Sequence, residues 1–229
     1  MNSTAILAID AATEACSVAL QYQGQVISRF EVCPQQHSQR ILPMVDEVLK
    51  EAGTTLAALD LLAFGCGPGS FTGVRIGVGV AQGLAFGADL PLVSVSTLQT
   101  MAQGAIRLNN ADSVIAAIDA RMGEIYTAEF INKNGLACRV APDIVIKPEL
   151  VEYSLIENIF AVGTGWQTYQ SELTGKVPGV VATEVLYPHA VDMLPLAEDL
   201  LANNRQLTPE SAQPVYVRDT VTWKKLPGR

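Results

Sequence analysis

Residues 5–22 read Ala-Ile-Leu-Ala-Ile-Asp-Ala-Ala-Thr-Glu-Ala-Cys-Ser-Val-Ala-Leu-Gln-Tyr. An apolar run from Ala5 ends at an acid, Asp10, and a second apolar stretch starts at Cys16 after a short polar break. Gln23-Gly24-Gln25 separates this from the segment Val26 to Val32, which alternates with a period near two. Short runs punctuated by turn-forming residues predict a meander of strands. The opening then partly returns. Ser113 to Asp119 is again an apolar run closed by an acid, with Gly123 to Asn132 as its hairpin partner. Ala8-Ile9-Asp10 is echoed by Ala117-Ile118-Asp119, which suggests a duplicated strand-meander-helix unit.

Helices and further strands lie between and beyond these runs. Ile41, Leu42, Val45, Val48, Leu49 and Ala52 fall at helical spacing, with Asp46, Glu47, Lys50 and Glu51 opposite and Gly53 as terminator. Leu61 to Phe64 reads as a buried strand and Leu92 to Ser96 as another, with Ser96 or Thr97 placed to cap a helix over 97–106. Ile159 to Val162 resembles a strand and Met193 to Leu201 a helix. Strands and helices interleave throughout, so the class is α/β. The boundary between two lobes, 1–109 and 110–229, is placed near Asn109-Asn110.

Composition narrows the function. The chain has 229 residues, 49% hydrophobic and 17% charged, and a formal net charge of -8. That balance excludes disorder. It also lacks the basic footprint needed to hold nucleic acid unaided. Two histidines are too few for most His-rich metal sites. Neither a signal peptide nor a membrane span is expected. Cys16, Cys33, Cys66 and Cys138 are widely spaced and read as reduced thiols of a cytoplasmic chain. A mean hydropathy of +0.25 points to surface awaiting a partner.

Three stretches could carry chemistry. Asp10, Thr13 and Ser17 could hold a hydrated metal and a nucleotide phosphate, but Ala11 and Ala12 stand where glycine would help, and the spacing favours an ordinary strand end. Gly65-Cys66-Gly67-Pro68-Gly69-Ser70-Phe71-Thr72-Gly73 could cradle an anion, although it matches neither a P-loop nor a dinucleotide fingerprint. A turn needed only for folding would not require so many glycines, so a functional role is expected there. In the stretch that follows, Val74, Ile76, Val78 and Val80 alternate like a strand, while the glycines lie one turn apart as in a helix. Read as a helix, Gly77, Gly79 and Gly83 each cost ~1 kcal/mol relative to Ala. No charge occurs between Ile76 and Ala88, so such a helix needs cover on every side, and a partner subunit is the expected cover for its outer face.

Other chemistry is poorly supported. No G-x-S-x-G elbow or H-E-x-x-H motif occurs. His37 and His189 suit surface or capping roles, Cys66 a buried thiol, and Asp119 to Tyr126 a solvated hairpin tip.

Residues 6–20, Gly67 to Gly77 (GPGSFTGVRIG), Ala117 to Glu124 and Trp223 to Gly228 together resemble the glycoprotease-like TsaD/TsaB family, on its TsaB (YeaZ) side, over essentially the full length. The resemblance implies a two-lobed actin/sugar-kinase/Hsp70-like, ribonuclease H-like fold with a reduced second lobe. It implies a non-catalytic role in forming threonylcarbamoyladenosine on tRNA, as dimerisation partner and activator of TsaD together with the ATPase TsaE. In that setting tRNA is met only within the complex, ATP or ADP could lie at the complex interface, and the chain alone could form a homodimer. The paralogue TsaD carries an H-x-x-x-H metal pair where this chain has Thr97 and Met101, which cannot replace two imidazoles, so no metal site is expected.

Docking in the family uses the first two helices, mapping onto 37–52 and 71–87. The expected interface residues are Ile41, Leu42, Val45, Val48, Leu49, Val74, Gly77, Val78, Ala81 and Leu84. The runner-up is a phosphotransferase of the same fold, binding nucleotide through Asp10, Thr13, Ser17, Gly67, Gly69 and Ser70. A metallopeptidase is the third reading. The basic residues Arg218, Lys224, Lys225 and Arg229 could touch tRNA or stabilise the assembly.

Overall fold

A computed structural model describes residues 3–155 and 157–218. Its first half is the meander β1 (Ile6–Asp10), β2 (Ala15–Tyr22) and β3 (Gln25–Val32), then α1 (His37–Glu51), β4 (Leu61–Gly65), α2 (Phe71–Ala88), β5 (Leu92–Val95) and α3 (Thr97–Asn109). The second half contains β6 (Ser113–Arg121), β7 (Glu124–Lys133), β8 (Leu136–Arg139), β9 (Ile144–Ile146), β10 (Ile159–Val162), α4 (Thr164–Thr168), α5 (Gln170–Lys176), β11 (Val181–Ala182) and α6 (Ala190–Ala202).

The echo in the sequence is an echo in topology. One sheet has the order β3-β2-β1-β4-β5, and the other, read the same way, β8-β7-β6-β10-β11, with β9 also on β7. In both, the strand ending in Ala-Ile-Asp pairs antiparallel with its hairpin partner and parallel with the strand beyond. Each central strand is buried on both sides, which is why its run is continuously apolar rather than alternating. Two such sheets, the first with helices packed on both faces, give a two-lobed α/β fold.

The strand alternative for residues 74–80 is corrected: they lie within the helix α2. Ser70 caps its start, its hydroxyl accepting from the Gly73 N–H at 3.3 Å, and Asp89 ends it in the left-handed region at φ 53°. Val74, Val78, Ala81 and Ala85 follow helical spacing and enter the first core, against Ile9, Ala11 and Phe64 among others. On the other face of that sheet, α6 packs Ala190, Met193, Leu194, Leu196 and Ala197 against Ile6, Ala8, Leu61 and Val93. It starts earlier than its apolar pattern suggests, because His189 Nδ1 accepts from the Val191 N–H and Ser17 Oγ accepts from the Ala190 N–H.

The chain therefore crosses between lobes more than once. Leu98, Met101, Ala102 and Ala105 of α3 join the core of the second sheet, while α6, which follows the second lobe in sequence, covers the first. A bidentate ion pair from Arg107 to the buried Asp192, at 2.6 and 3.1 Å, ties α3 to α6. Among the described residues no helix is long and apolar enough to cross a membrane.

Candidate functional site

The expected nucleotide residues come together in space, but each is spent on the chain's own structure. Asp10 ends β1 at 1% exposure. Its Oδ1 accepts from the Ala12 N–H at 2.9 Å, and its Oδ2, without a hydrogen-bond partner among the described residues, faces the Cα of Gly65. Burial pushes the carboxyl up to about 7, against the pull of that one N–H. Thr13 Oγ1 accepts from the Ala15 N–H, and Ser17 Oγ donates to the Arg29 carbonyl while capping α6. All three, the expected nucleotide residues Asp10, Thr13 and Ser17, are buried, with Thr13 and Ser17 hydrogen-bonded to this chain's own backbone.

The glycine-rich loop packs against the same strand end. A Cβ at Gly65 would overlap the Asp10 carboxylate, one at Gly69 the Ala12 carbonyl, and one at Gly73 the Ala11 carbonyl. Ser70 N–H donates to the Ala12 carbonyl at 2.7 Å, and the Ser70 hydroxyl is used as the helix cap. Gly67 is buried with a positive φ beneath the Val215 carbonyl. The glycines permit close approach of one loop to the β1–β2 turn, so at the expected cradle of Gly67, Gly69 and Ser70 the Ser70 N–H is taken by this chain's own backbone, while Ser70 itself stays exposed.

The second lobe repeats the device. Gly163 and Gly165 come just after β10, much as Gly65 closes β4 and Gly67 follows it, and Cβ atoms at 163 and 165 would collide with Ala117. A Gly-x-Gly after an apolar strand is the shared signal, present in the sequence and not singled out in its reading. Thr164 Oγ1 accepts from the Asp119 N–H at 3.2 Å.

The hairpin tip is solvated as expected, with Arg121, Met122 and Gly123 exposed, and it also spans the lobes. Arg121, at its turn, reaches Glu14 of the first lobe at 2.9 Å and Asp119 at 3.1 Å. On the same tip, Arg218 pairs with Glu124 and donates to the Ala120 carbonyl. So the one described residue of the expected basic tail is committed to the second lobe; Lys224, Lys225 and Arg229 lie outside the described residues.

The remaining candidates are structural. Cys66 is buried, and burial pushes its thiol up to about 12, well away from a nucleophile's range. His189 caps α6 and stacks on Phe30 at 5.2 Å, as a capping role requires. His37 is corrected from surface to buried, in the first turn of α1. Thr97 and Met101 lie one turn apart on α3, both fully buried. Among the described residues no group of three or more His, Cys, Asp and Glu side chains gathers to hold a metal.

The expected docking residues divide by exposure. Ile41, Val45, Val48, Val74, Gly77, Val78 and Ala81 are buried within this chain, Leu49 and Leu84 are half-buried and Leu42 is exposed. The outer face of α2 carries other residues. Phe71 is 57% and Phe86 74% exposed, and between them Arg75, Gly79 and Gly83 form an exposed row. Cβ atoms at Gly79, Gly83 and Gly87 would meet nothing within 4 Å. These three glycines therefore weaken the helix without any packing gain inside the chain.

Comparison with known proteins agrees with the resemblance in the sequence. The family model described as TsaD, tRNA N6-adenosine threonylcarbamoyltransferase, matches residues 26–160. The tRNA threonylcarbamoyladenosine biosynthesis protein TsaB of Escherichia coli (strain K12) is 54% identical over 98% of this chain and 99% of its own. That of Haemophilus influenzae is 44% identical over the whole of both. A crystal structure from Pseudomonas aeruginosa, of a protein with similarity to peptidase YeaZ, superposes with a TM-score of 0.89 at 43% identity, covering 94% of this chain and 100% of that one. With a fold, a length and a sequence shared end to end, the chain belongs to the TsaB family of tRNA threonylcarbamoyladenosine biosynthesis proteins.

Proposed function

We propose that this chain acts in threonylcarbamoyladenosine formation as a non-catalytic docking subunit that pairs with and activates a TsaD-type transferase, with TsaE joining the pair. The observation that carries this reading is the outer face of α2. Gly79, Gly83 and Gly87 project no side chain and have open space above them, and exposed Phe71 and Phe86 flank the row. Gly79 and Gly83, inside the helix, together cost roughly 2 kcal/mol relative to alanine. A partner helix that approaches the bare backbone closely offsets that cost. Leu42 on α1 is likewise an exposed apolar side chain.

Catalysis by this chain alone has little to work with. Its buried carboxylate is sealed by Gly65, its loop amides and hydroxyl are consumed internally, and the positions that match the paralogue's histidines are a buried threonine and methionine. The same facts favour the docking reading over the phosphotransferase one. In the assembled complex ATP or ADP lies at a subunit interface rather than in this chain's cleft, and tRNA is met only there. Without its partner the same face supports a homodimer.

Reconstitution tests the reading. This chain, TsaD, TsaE, ATP, tRNA and threonylcarbamoyl-adenylate are combined, and one component is omitted at a time. Modification should fall to background without this chain, and this chain without TsaD should modify nothing. Full activity in its absence would overturn the proposal, and so would transfer by this chain alone.

A further inference from the structure

Arg75 occupies a specific place on the exposed row of α2. It lies one turn before Gly79, so a helix laid along Gly79 and Gly83 meets Arg75 at one end and Phe86 at the other. The Arg75 guanidinium carbon sits 3.6 Å from the centroid of the Phe71 ring, and its Nε donates to Tyr216 Oη at 2.8 Å. The two rings lie 5.8 Å apart and tilted. Stacked and hydrogen-bonded in this way, the side chain has lost rotamer freedom before any partner arrives. Its two terminal nitrogens remain as a fork.

Most of the other described arginines are differently employed: Arg29, Arg40, Arg107, Arg121, Arg139 and Arg218 pair with carboxylates of this chain. Arg75 and Arg205 pair with none among the described residues, and of these two it is Arg75 that is held in place by aromatic side chains. Tyr216, which holds it, belongs to the extended segment after α6. That segment is pinned by Val215 N–H to the Cys66 carbonyl at 2.8 Å, by Gln82 to the Ala212 carbonyl at 3.1 Å, and by Arg218 to Glu124.

We propose that Arg75 is a specificity-determining anchor that receives an Asp or Glu side chain from the helix docked on α2, and that Tyr216 is its positioning residue. This rests on the docking reading given under Proposed function. A carboxylate on a protein suits the surroundings better than a nucleic-acid phosphate. One fork satisfies one carboxylate bidentately, whereas affinity for a phosphate backbone grows with the number of phosphates neutralised. The anchor also continues the glycine row, whose bare backbone fits a helix. The C-terminal segment thus serves docking through one phenol and its grip on an arginine, independently of the basic residues beyond it.

The test is a titration of the full chain with the transferase subunit at low and high salt, using Arg75→Lys, Arg75→Glu, Tyr216→Phe and Tyr216→Ala. Arg75→Lys keeps the charge but not the fork and should weaken binding on the order of tenfold. Arg75→Glu should weaken it on the order of a hundredfold or more, with a flattened salt dependence. Tyr216→Phe, which keeps the ring and loses the hydroxyl, should lie between wild type and Tyr216→Ala. Reversing one acidic residue on the partner helix to Lys should restore Arg75→Glu selectively. If the wild type binds and all four variants bind within about twofold of it, the anchor is overturned while the docking reading stands. If the wild type does not bind, both fail. Loss in Arg75→Glu confined to self-association, measured by sedimentation, or confined to tRNA retention by the isolated chain, would also overturn the assignment, since the occupant would then be a second copy or an RNA.

Discussion

Asp10 and Gly65 form a lock: the Asp10 carboxylate occupies the space a Gly65 side chain would need, and Gly65 in turn seals that carboxylate from water. The acid ionises near 3.8 in a free chain and at about 7 when folded, because burial penalises its charge. Between these values the folded protein keeps a proton that the unfolded chain has released, so stability falls as pH rises through this window and levels off above it. The total loss is of order 4 kcal/mol. Asp10→Asn removes the titration. Thermal unfolding of wild type and variant from pH 5 to 8 should give crossing curves, with wild type ahead at pH 5 and the variant ahead at pH 8. Parallel curves would show that Asp10 is ionised and solvated as a ligand-binding acid would be.

Ser17 separates a structural role from a nucleotide role. Its hydroxyl takes the Ala190 N–H at 2.8 Å, at the start of the helix that covers the first sheet. Ser17→Ala leaves that buried N–H without its acceptor and should cost about 1–2 kcal/mol in urea unfolding. Binding to the transferase subunit should be unchanged. A variant of normal stability that loses nucleotide-dependent activity would reverse the assignment.

The sequence exposes the repeated strand pattern but not the rotation of α2. Ala-Ile-Asp at the end of each central strand, the tight Gln23-Gly24 turn and the charged back of α1 all follow from alternation, turn chemistry and polarity. On α1, Asp46, Glu47, Lys50 and Glu51 fix the outer face, and the apolar residues opposite were correctly grouped but belong to this chain's own sheet. On α2 both faces are apolar, so polarity gives no orientation. What orients it is size: Gly73 and Gly77 face the backbone of Ala11, and Gly79 and Gly83 face outward. Two kinds of glycine, one needed for packing inward and one left bare outward, look identical in a sequence. The loop glycines at 65, 69 and 73 suggest a ligand cradle in the sequence for the same reason, since close approach by a phosphate and by the chain's own backbone demand the same residue.

Thiol reactivity distinguishes a buried Cys66 from a nucleophile. Burial pushes both Cys66 and Cys16 up to about 12, and Cys33 is buried with them, whereas Cys138 is half-exposed. Iodoacetamide at pH 8 should therefore place its first adduct on Cys138, with the other three reacting only at the rate of unfolding. Peptide mapping of the singly modified protein reads this directly. Early modification of Cys66 would return it to the list of reactive groups.

Gly83 offers the sharpest separation of folding from docking. Nothing in this chain lies within 4 Å of a Cβ placed there, and its backbone is ordinary helix. Gly83→Ala should therefore stabilise the isolated chain by roughly 0.5–1 kcal/mol, through lower unfolded-state entropy and better helix propensity. Gly83→Leu should fold as well as the alanine variant, since its side chain projects into solvent. Binding should move the other way: the alanine should weaken the transferase complex modestly, and the leucine should abolish it by holding the incoming backbone away. A more stable chain that docks less well is the signature of a residue kept small for a partner. If Gly83→Leu binds like wild type, the bare row on α2 is not where the subunits meet.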